Sequence, residues 1–175
     1  RQGCRLEDGR VVMPDGFRDL YRDYAEQGWP SLTVPEEFGG QGMGGIALAC
    51  TSEIFTGANH SLQMVTGLVP GAVRVLLEYG SEDQKSAYIP HLASGAWLST
   101  MCLTEPQCGT DLGLIRTRAT PNDDGSYAIE GTKIWITGGE HDLVDNIVHL
   151  VLAKLPGAPD TTKGISLFVV PKFLP

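Results

Sequence analysis

From Pro14 to Gly95 the apolar positions recur every three or four residues; beyond Gly95 they recur every second residue. In "PDGFRDLYRDYAEQGW", Phe17, Leu20, Tyr21 and Tyr24 mark one helical face, with Pro14 at its start and Gly28 at its end. "GGIALACTSEIFTGANHSLQMVTGLV" predicts a longer apolar helical region, broken near Gly57–Ala58. "PGAVRVLLEYG" predicts a short helix opened by Pro70 and closed by Gly80. "SEDQKSAYIPHLASG" predicts another, with Ser81 as N-cap, acids in the first turn and Pro90 limiting its end. Residues 1–95 as a whole read as helical. The period-2 half predicts strands at 97–104, 114–120, 126–130, 132–137, 146–154 and 164–170. "NDDGS" and "GGEHD" read as turns, and "LPGAPDTTKG" as a loop. Helices followed by strands predict an α+β fold. An N-terminal α-helical domain over residues 1–95 leads into an antiparallel β domain, sandwich- or barrel-like, over residues 96–175.

The 175 residues, 42% of them hydrophobic, suffice for one domain or slightly more with a real core. A net charge of −8 makes a nucleic-acid backbone or an anionic membrane a poor default partner. It does not exclude an anionic small molecule in a local pocket. No apolar run reaches the length of a membrane span, because "LVPGAVRVLL" is interrupted by Pro70, Gly71 and Arg74. No signal-peptide pattern opens the chain. Cys4, Cys50, Cys102 and Cys108 lack CxxC spacing and read as free thiols of a reducing cytoplasm. The start at "RQGCRLEDGR" and the stop at "FVVPKFLP" lead to the expectation that part of the working protein lies outside this chain.

Several motifs compete for a chemical role. Gly40–Gly45 matches GxGxxG, but the "VPEEF" before it is too short and acidic for the strand a dinucleotide fingerprint needs, so a flexible loop is the better account. Glu140, His141 and Asp142 are adjacent at a turn and point in different directions, and no second ligand cluster accompanies them, so no metal site is expected. His60, His91 and His149 are scattered, and no GxSxG is present. Two segments remain. In the predicted strand 97–104, Ser99, Met101 and Leu103 share one face, and Thr100, Cys102 and Thr104 the other. In "KIWIT", Trp135 and Thr137 share a face, roughly 7 Å apart at Cα. An indole beside a hydroxyl suits a flat heteroaromatic ring, and the Gly109–Thr110 step offers backbone N–H groups and a hydroxyl to a pyrophosphate. On composition alone, Trp135 as plain sheet core and Thr137 as a strand-end cap is the slightly simpler account.

"MCLTEPQCGTDLG", "DGSYAIEGTKIWITGGE" and "KGISLFVVPKF", in that order, resemble the middle β domain of the acyl-CoA dehydrogenase family. "GWPSLTVPEEFGGQGM" and "YGSEDQKSAYIPHLASGAW" extend the resemblance through the helical half, so that it covers nearly the whole chain. The C-terminal stretch from "GEHDLVDN" onward resembles the branch that includes 3-methylmercaptopropionyl-CoA dehydrogenases. The resemblance implies an FAD-dependent oxidoreductase of fatty-acid β-oxidation, cytoplasmic and homodimeric or homotetrameric when complete. Its substrate is an acyl-CoA and its electron acceptor an electron-transfer flavoprotein. A carboxylate takes the α-proton while the β-hydride passes to flavin N5, leaving a 2-enoyl-CoA.

Carried across, Met101, Leu103 and Thr104 lie beside the flavin ring, with Thr104 bonding its pyrimidine edge. Gly109 and Thr110 meet a cofactor phosphate, and Thr110 also flanks the acyl-CoA entrance. Trp135 packs along the isoalloxazine with Ile136 beside it, and Thr137 reaches the N5/O4 edge, where hydrogen bonds favour the reduced ring. Two positions depart from the family pattern: Cys108-Gly109-Thr110 replaces Ala-Gly-Ser, and Met101 replaces an aromatic residue. Glu105 reads as structural rather than as the base. The family's catalytic glutamate belongs to a C-terminal helical domain absent from this chain, so no catalytic residue is assigned here. The piece alone is expected to be inactive and to bind FAD weakly or not at all. An acyl-CoA oxidase-like flavoprotein of the same fold, and a non-catalytic interaction module that kept the sheet, are the alternatives.

Overall fold

The computed structural model describes residues 2–175. It opens with an antiparallel hairpin, β1 (Arg5–Glu7) and β2 (Arg10–Val12), where the sequence predicts only helix. Five helices follow: α1 (Phe17–Glu26), α2 (Gly45–Ala58), α3 (His60–Thr66), α4 (Val69–Tyr79) and α5 (Glu82–Ser94). The break predicted near Gly57 falls at Asn59, which caps α3 by accepting from the Leu62 amide at 3.1 Å. Ser81 and Gln84 form a reciprocal capping box at the start of α5.

α5 does not stop at Pro90 but continues to Ser94. Ile89, Leu92 and Ala93 are all buried there, and that packing outweighs the hydrogen bond the proline cannot make. The helix ends instead at Gly95, whose φ is +76°. A side chain at Gly95 would also meet Ala25 Cβ at 2.8 Å, and its carbonyl accepts from the Tyr21 hydroxyl at 2.6 Å. Burial pushes the Tyr21 phenol's pKa up and keeps it a donor.

The strands are β3 (Trp97–Cys102), β4 (Arg118–Pro121), β5 (Tyr127–Glu130), β6 (Asn146–Lys154) and β7 (Ile165–Pro171). Sheet order is β3-β6-β4-β5, with β7 also pairing with β6. β4 and β5 are antiparallel, but β4 and β6 are parallel through Arg118 and Lys154, so the sheet is mixed rather than antiparallel. The parallel pair needs a long return connection, which residues 122–145 supply.

Two strand expectations fail. Residues 114–117 belong to a short 3-10 turn at Leu112–Leu114 and an irregular run after it. Residues 132–137 form no strand, because Trp135 has φ +59° and breaks the pleat. β3 ends at Cys102 rather than at residue 104, and all its residues but Met101 are buried.

The chain divides into two compact units whose boundaries fall within β3, β6 and β7 and between Thr137 and Gly138. One runs to Thr100 and adds Gly138–Val148 and Pro171–Pro175; the other comprises Met101–Thr137 and His149–Val170. The first contains the helical core of Leu62, Val69, Val73, Leu76, Ile89 and Leu92. It also holds a cavity of about 70 Å³ lined by Tyr24, Trp29, Leu48, Phe55, Gln63 and Trp97 among others. That volume is far below the several hundred Å³ a cofactor ring system fills. The second unit is built around Ile115, Ala119, Leu150, Val151 and Ala153.

Candidate functional site

All eight residues singled out as cofactor contacts — Met101, Leu103, Thr104, Gly109, Thr110, Trp135, Ile136 and Thr137 — belong to the second unit. β3 delivers Met101, and the chain leaves the strand through Leu103 and Thr104 into a tight turn, Glu105–Cys108. Pro106 sits inside this turn, which is closed by Glu105 N to Cys108 O at 2.8 Å and Cys108 N to Glu105 O at 3.1 Å. Thr104 and Gly109 therefore emerge side by side: a Cβ on Gly109 would lie 3.5 Å from Thr104 Cγ2. The Ile134 amide donates to the Thr104 carbonyl at 3.0 Å and brings the 133–137 segment against this turn.

Trp135 is 87% exposed in a left-handed backbone conformation that bulky side chains rarely adopt. The account of Trp135 as sheet core and Thr137 as a strand-end cap is thereby overturned. Met101, Leu103, Thr104, Gly109, Ile136 and Thr137 are half-buried, and Thr110 is exposed. Among the described residues, the amides of Gly109 and Thr110 and the hydroxyls of Thr104, Thr110 and Thr137 engage no hydrogen-bond partner. By contrast, Thr117 in the same unit spends its hydroxyl on Glu105 at 2.6 Å.

Beneath this surface Glu105 is 3% exposed and accepts five hydrogen bonds. They come from Lys133 Nζ (2.8 Å), Thr117 Oγ1 (2.6 Å), the amides of Arg116 (2.7 Å) and Thr117 (3.1 Å), and Gln107 Nε2 (2.6 Å). Burial alone would raise the carboxyl's pKa, but the hydrogen bonds from Lys133, Thr117 and Arg116 outweigh it and bring it down to about 2. A carboxylate this well satisfied is a poor proton acceptor, and the expectation that Glu105 is structural agrees with that.

The unit also presents a groove of about 890 Å³, lined by Gln107, Asp111, Leu114, Arg116, Arg118 and Thr162 among others. Asp111 follows Thr110 directly, so the loop of the candidate site continues into this groove. The arginines were not singled out from sequence; the Arg-Thr-Arg alternation at 116–118, with Thr117 buried and both arginines exposed, was the available signal. Its far wall is fixed by Lys154, fully buried, which donates to Asp160 Oδ1 (2.6 Å) and Gly113 O (2.7 Å). That contact lowers the pKa of Asp160.

Family models separate the possible owners of such a surface. The acyl-CoA dehydrogenase N-terminal domain matches residues 7–96, and the acyl-CoA dehydrogenase middle domain matches residues 100–175. The chain belongs to the acyl-CoA dehydrogenase family. It is 50% identical over 173 residues to 3-methylmercaptopropionyl-CoA dehydrogenase of Ruegeria pomeroyi, across 99% of this chain and 29% of that protein. An acyl-CoA dehydrogenase from Geobacillus kaustophilus superposes with TM-score 0.78 at 30% identity, covering 92% of this chain and 40% of its own. An acyl-CoA dehydrogenase complexed with FAD from Bacillus anthracis gives TM-score 0.70 at 32% identity, covering 87% and 25%. The chain thus spans less than a third of the length of the Ruegeria relative.

Proposed function

We propose that the chain is the helical and middle β portion of an FAD-dependent acyl-CoA dehydrogenase, which introduces a 2,3 double bond into an acyl-CoA thioester. The observation that carries this reading is Trp135: a large indole held out to solvent in a left-handed backbone, in the same unit as the unengaged amides of Gly109 and Thr110 and the unengaged hydroxyls of Thr104, Thr110 and Thr137. Exposed apolar surface ringed by unsatisfied polar groups is what a flat, edge-polar ring with a diphosphate tail requires, so the residues present fit FAD. Bound FAD supplies, at N5, the acceptor for the hydride leaving the β-carbon.

In this reading Trp135 packs on the ring face and excludes water from it, with Met101, Leu103 and Ile136 completing the apolar surround. Thr104 bonds the pyrimidine edge and Thr137 the N5/O4 edge. The Gly109 and Thr110 amides hold a cofactor phosphate, and Thr110 flanks the substrate entrance. The arginine-lined groove beyond Asp111 receives the anionic end of the acyl-CoA. Glu105 is already committed to five donors, and the role of taking the α-proton is assigned to the family's glutamate, outside this chain. Electron-transfer flavoprotein as acceptor, a homo-oligomer and a cytoplasmic setting complete the proposal.

The test is flavin content and turnover of the full-length protein carrying this chain. A stoichiometric flavin spectrum, bleached anaerobically by an acyl-CoA and restored only slowly by air, is the expected result. Rapid reoxidation by oxygen reassigns it as an oxidase. A flavin-free protein overturns the reading.

A further inference from the structure

Trp135, at φ +59°, stands in a conformation that is costly for a bulky residue and persists only where its surroundings over-determine it. No strand does so, since residues 132–137 have none. The nearest ties are three. The Ile134 amide donates to Thr104 O at 3.0 Å. Lys133 Nζ donates to Leu103 O at 3.2 Å and to Glu105 Oε1 at 2.8 Å. These contacts bracket Thr104 on one segment and end immediately before Trp135 on the other. Lys133 and Glu105 are both largely withdrawn from water, with side chains 11% and 2% exposed, so the pair is little screened by salt. Glu105 is in turn held by Thr117 and Arg116, which directly precede β4, and by Gln107 of its own turn.

We infer that Glu105 and Lys133 are positioning residues: their buried ion pair holds Trp135 in its left-handed backbone and sets the placement of the indole relative to the Thr104 hydroxyl. The inference rests on the flavin reading above for its consequence, since the two groups so placed are those proposed to grip the ring. Neither charged group needs to touch the cofactor. A carboxylate serving only to close the Glu105–Cys108 turn would be satisfied by the Thr117 and Arg116 donors already present. The additional ammonium, shared with the Leu103 carbonyl, is what couples the turn to residue 133.

The experiment uses the full-length protein labelled with 5-fluorotryptophan, with Lys133→Met and Lys133→Arg variants. Fluorine NMR of the FAD-free protein reads the Trp135 resonance, assigned by Trp135→Phe, and titration with FAD reads affinity. In Lys133→Met the resonance is expected to shift or broaden and the FAD dissociation constant to rise at least tenfold, with the flavin midpoint potential moving negative. Lys133→Arg keeps the charge and should recover most of the affinity. A folded Lys133→Met protein with an unmoved Trp135 resonance, or with FAD affinity within twofold of the parent, overturns the inference. Should Lys133→Met fail to fold, Glu105→Gln decides in its place, since it removes the negative charge of the pair while keeping the side chain's size. A Trp135 resonance unmoved in a folded Glu105→Gln protein overturns the inference as well. A parent protein that takes up no FAD overturns the functional reading instead, while the FAD-free resonances still decide the positioning role.

Discussion

Trp135 illustrates how one backbone angle changes the meaning of a residue. On a regular strand it would share a face with Thr137; at φ +59° the pleat is broken and the indole is 87% exposed. The same angle gives a clean separation of stability from binding. Glycine adopts this conformation at no steric cost, so Trp135→Gly relieves strain while removing the exposed ring. Its expected effect on unfolding free energy is neutral to about 1 kcal/mol stabilising. FAD affinity of the full-length protein should fall at least about tenfold, or about 1.4 kcal/mol. Chemical denaturation and flavin titration of the same preparation check both halves. A large loss of stability would show that the indole is packed rather than presented.

At the scale of elements, helix propensity and packing can be set against each other in α5. Ser81 and Gln84 start it through two reciprocal hydrogen bonds, and Ser81→Ala is expected to cost about 1 kcal/mol. Pro90 is exposed and removes one ladder bond from the interior, so Pro90→Ala should stabilise by about 1 kcal/mol or more. Opposite shifts in thermal midpoint for the two variants are the readout. The helices were legible because their apolar spacing, proline starts and glycine stops agree at every level. Pro90 misled because a local breaker was weighed without Ile89, Leu92 and Ala93, whose burial only the fold reveals. The 132–137 segment misled for a different reason. Alternating Lys-Ile-Trp-Ile-Thr satisfies a strand pattern, yet what fixes it is a side-chain contact between residues 105 and 133, invisible to any local window. The residues singled out by type — bare glycine amide, hydroxyl, indole — nonetheless fall in one unit, with Trp135 exposed, although the strand expected to carry three of them is absent.

At the scale of the whole molecule, the buried carboxylate makes a prediction about acid stability whose sign is fixed. Glu105 ionises at about 2 in the fold, below its ordinary value of 4.5, so the unfolded chain binds its proton more readily. Its stabilisation is fully present above pH 4.5 and is lost as the pH falls from there toward 2. The size is on the order of 3 kcal/mol, given the separation of the two values. Asp160 and Asp124 also have lowered pKa values, the first through Lys154 and the second through Ser126. Both sit at the surface, where salt weakens such contacts. Urea unfolding in about 0.5 M salt should therefore suppress the Asp160 and Asp124 contributions while leaving that of Glu105. Under those conditions the parent should lose stability steeply between pH 4.5 and 2, whereas Glu105→Gln, less stable at neutral pH, should show a much flatter profile. Equal slopes in the two proteins would mean that the carboxylate is not held ionised by Lys133 and Thr117. The frame beneath the Thr104 turn would then lack the charge on which the coupling to residue 133 depends.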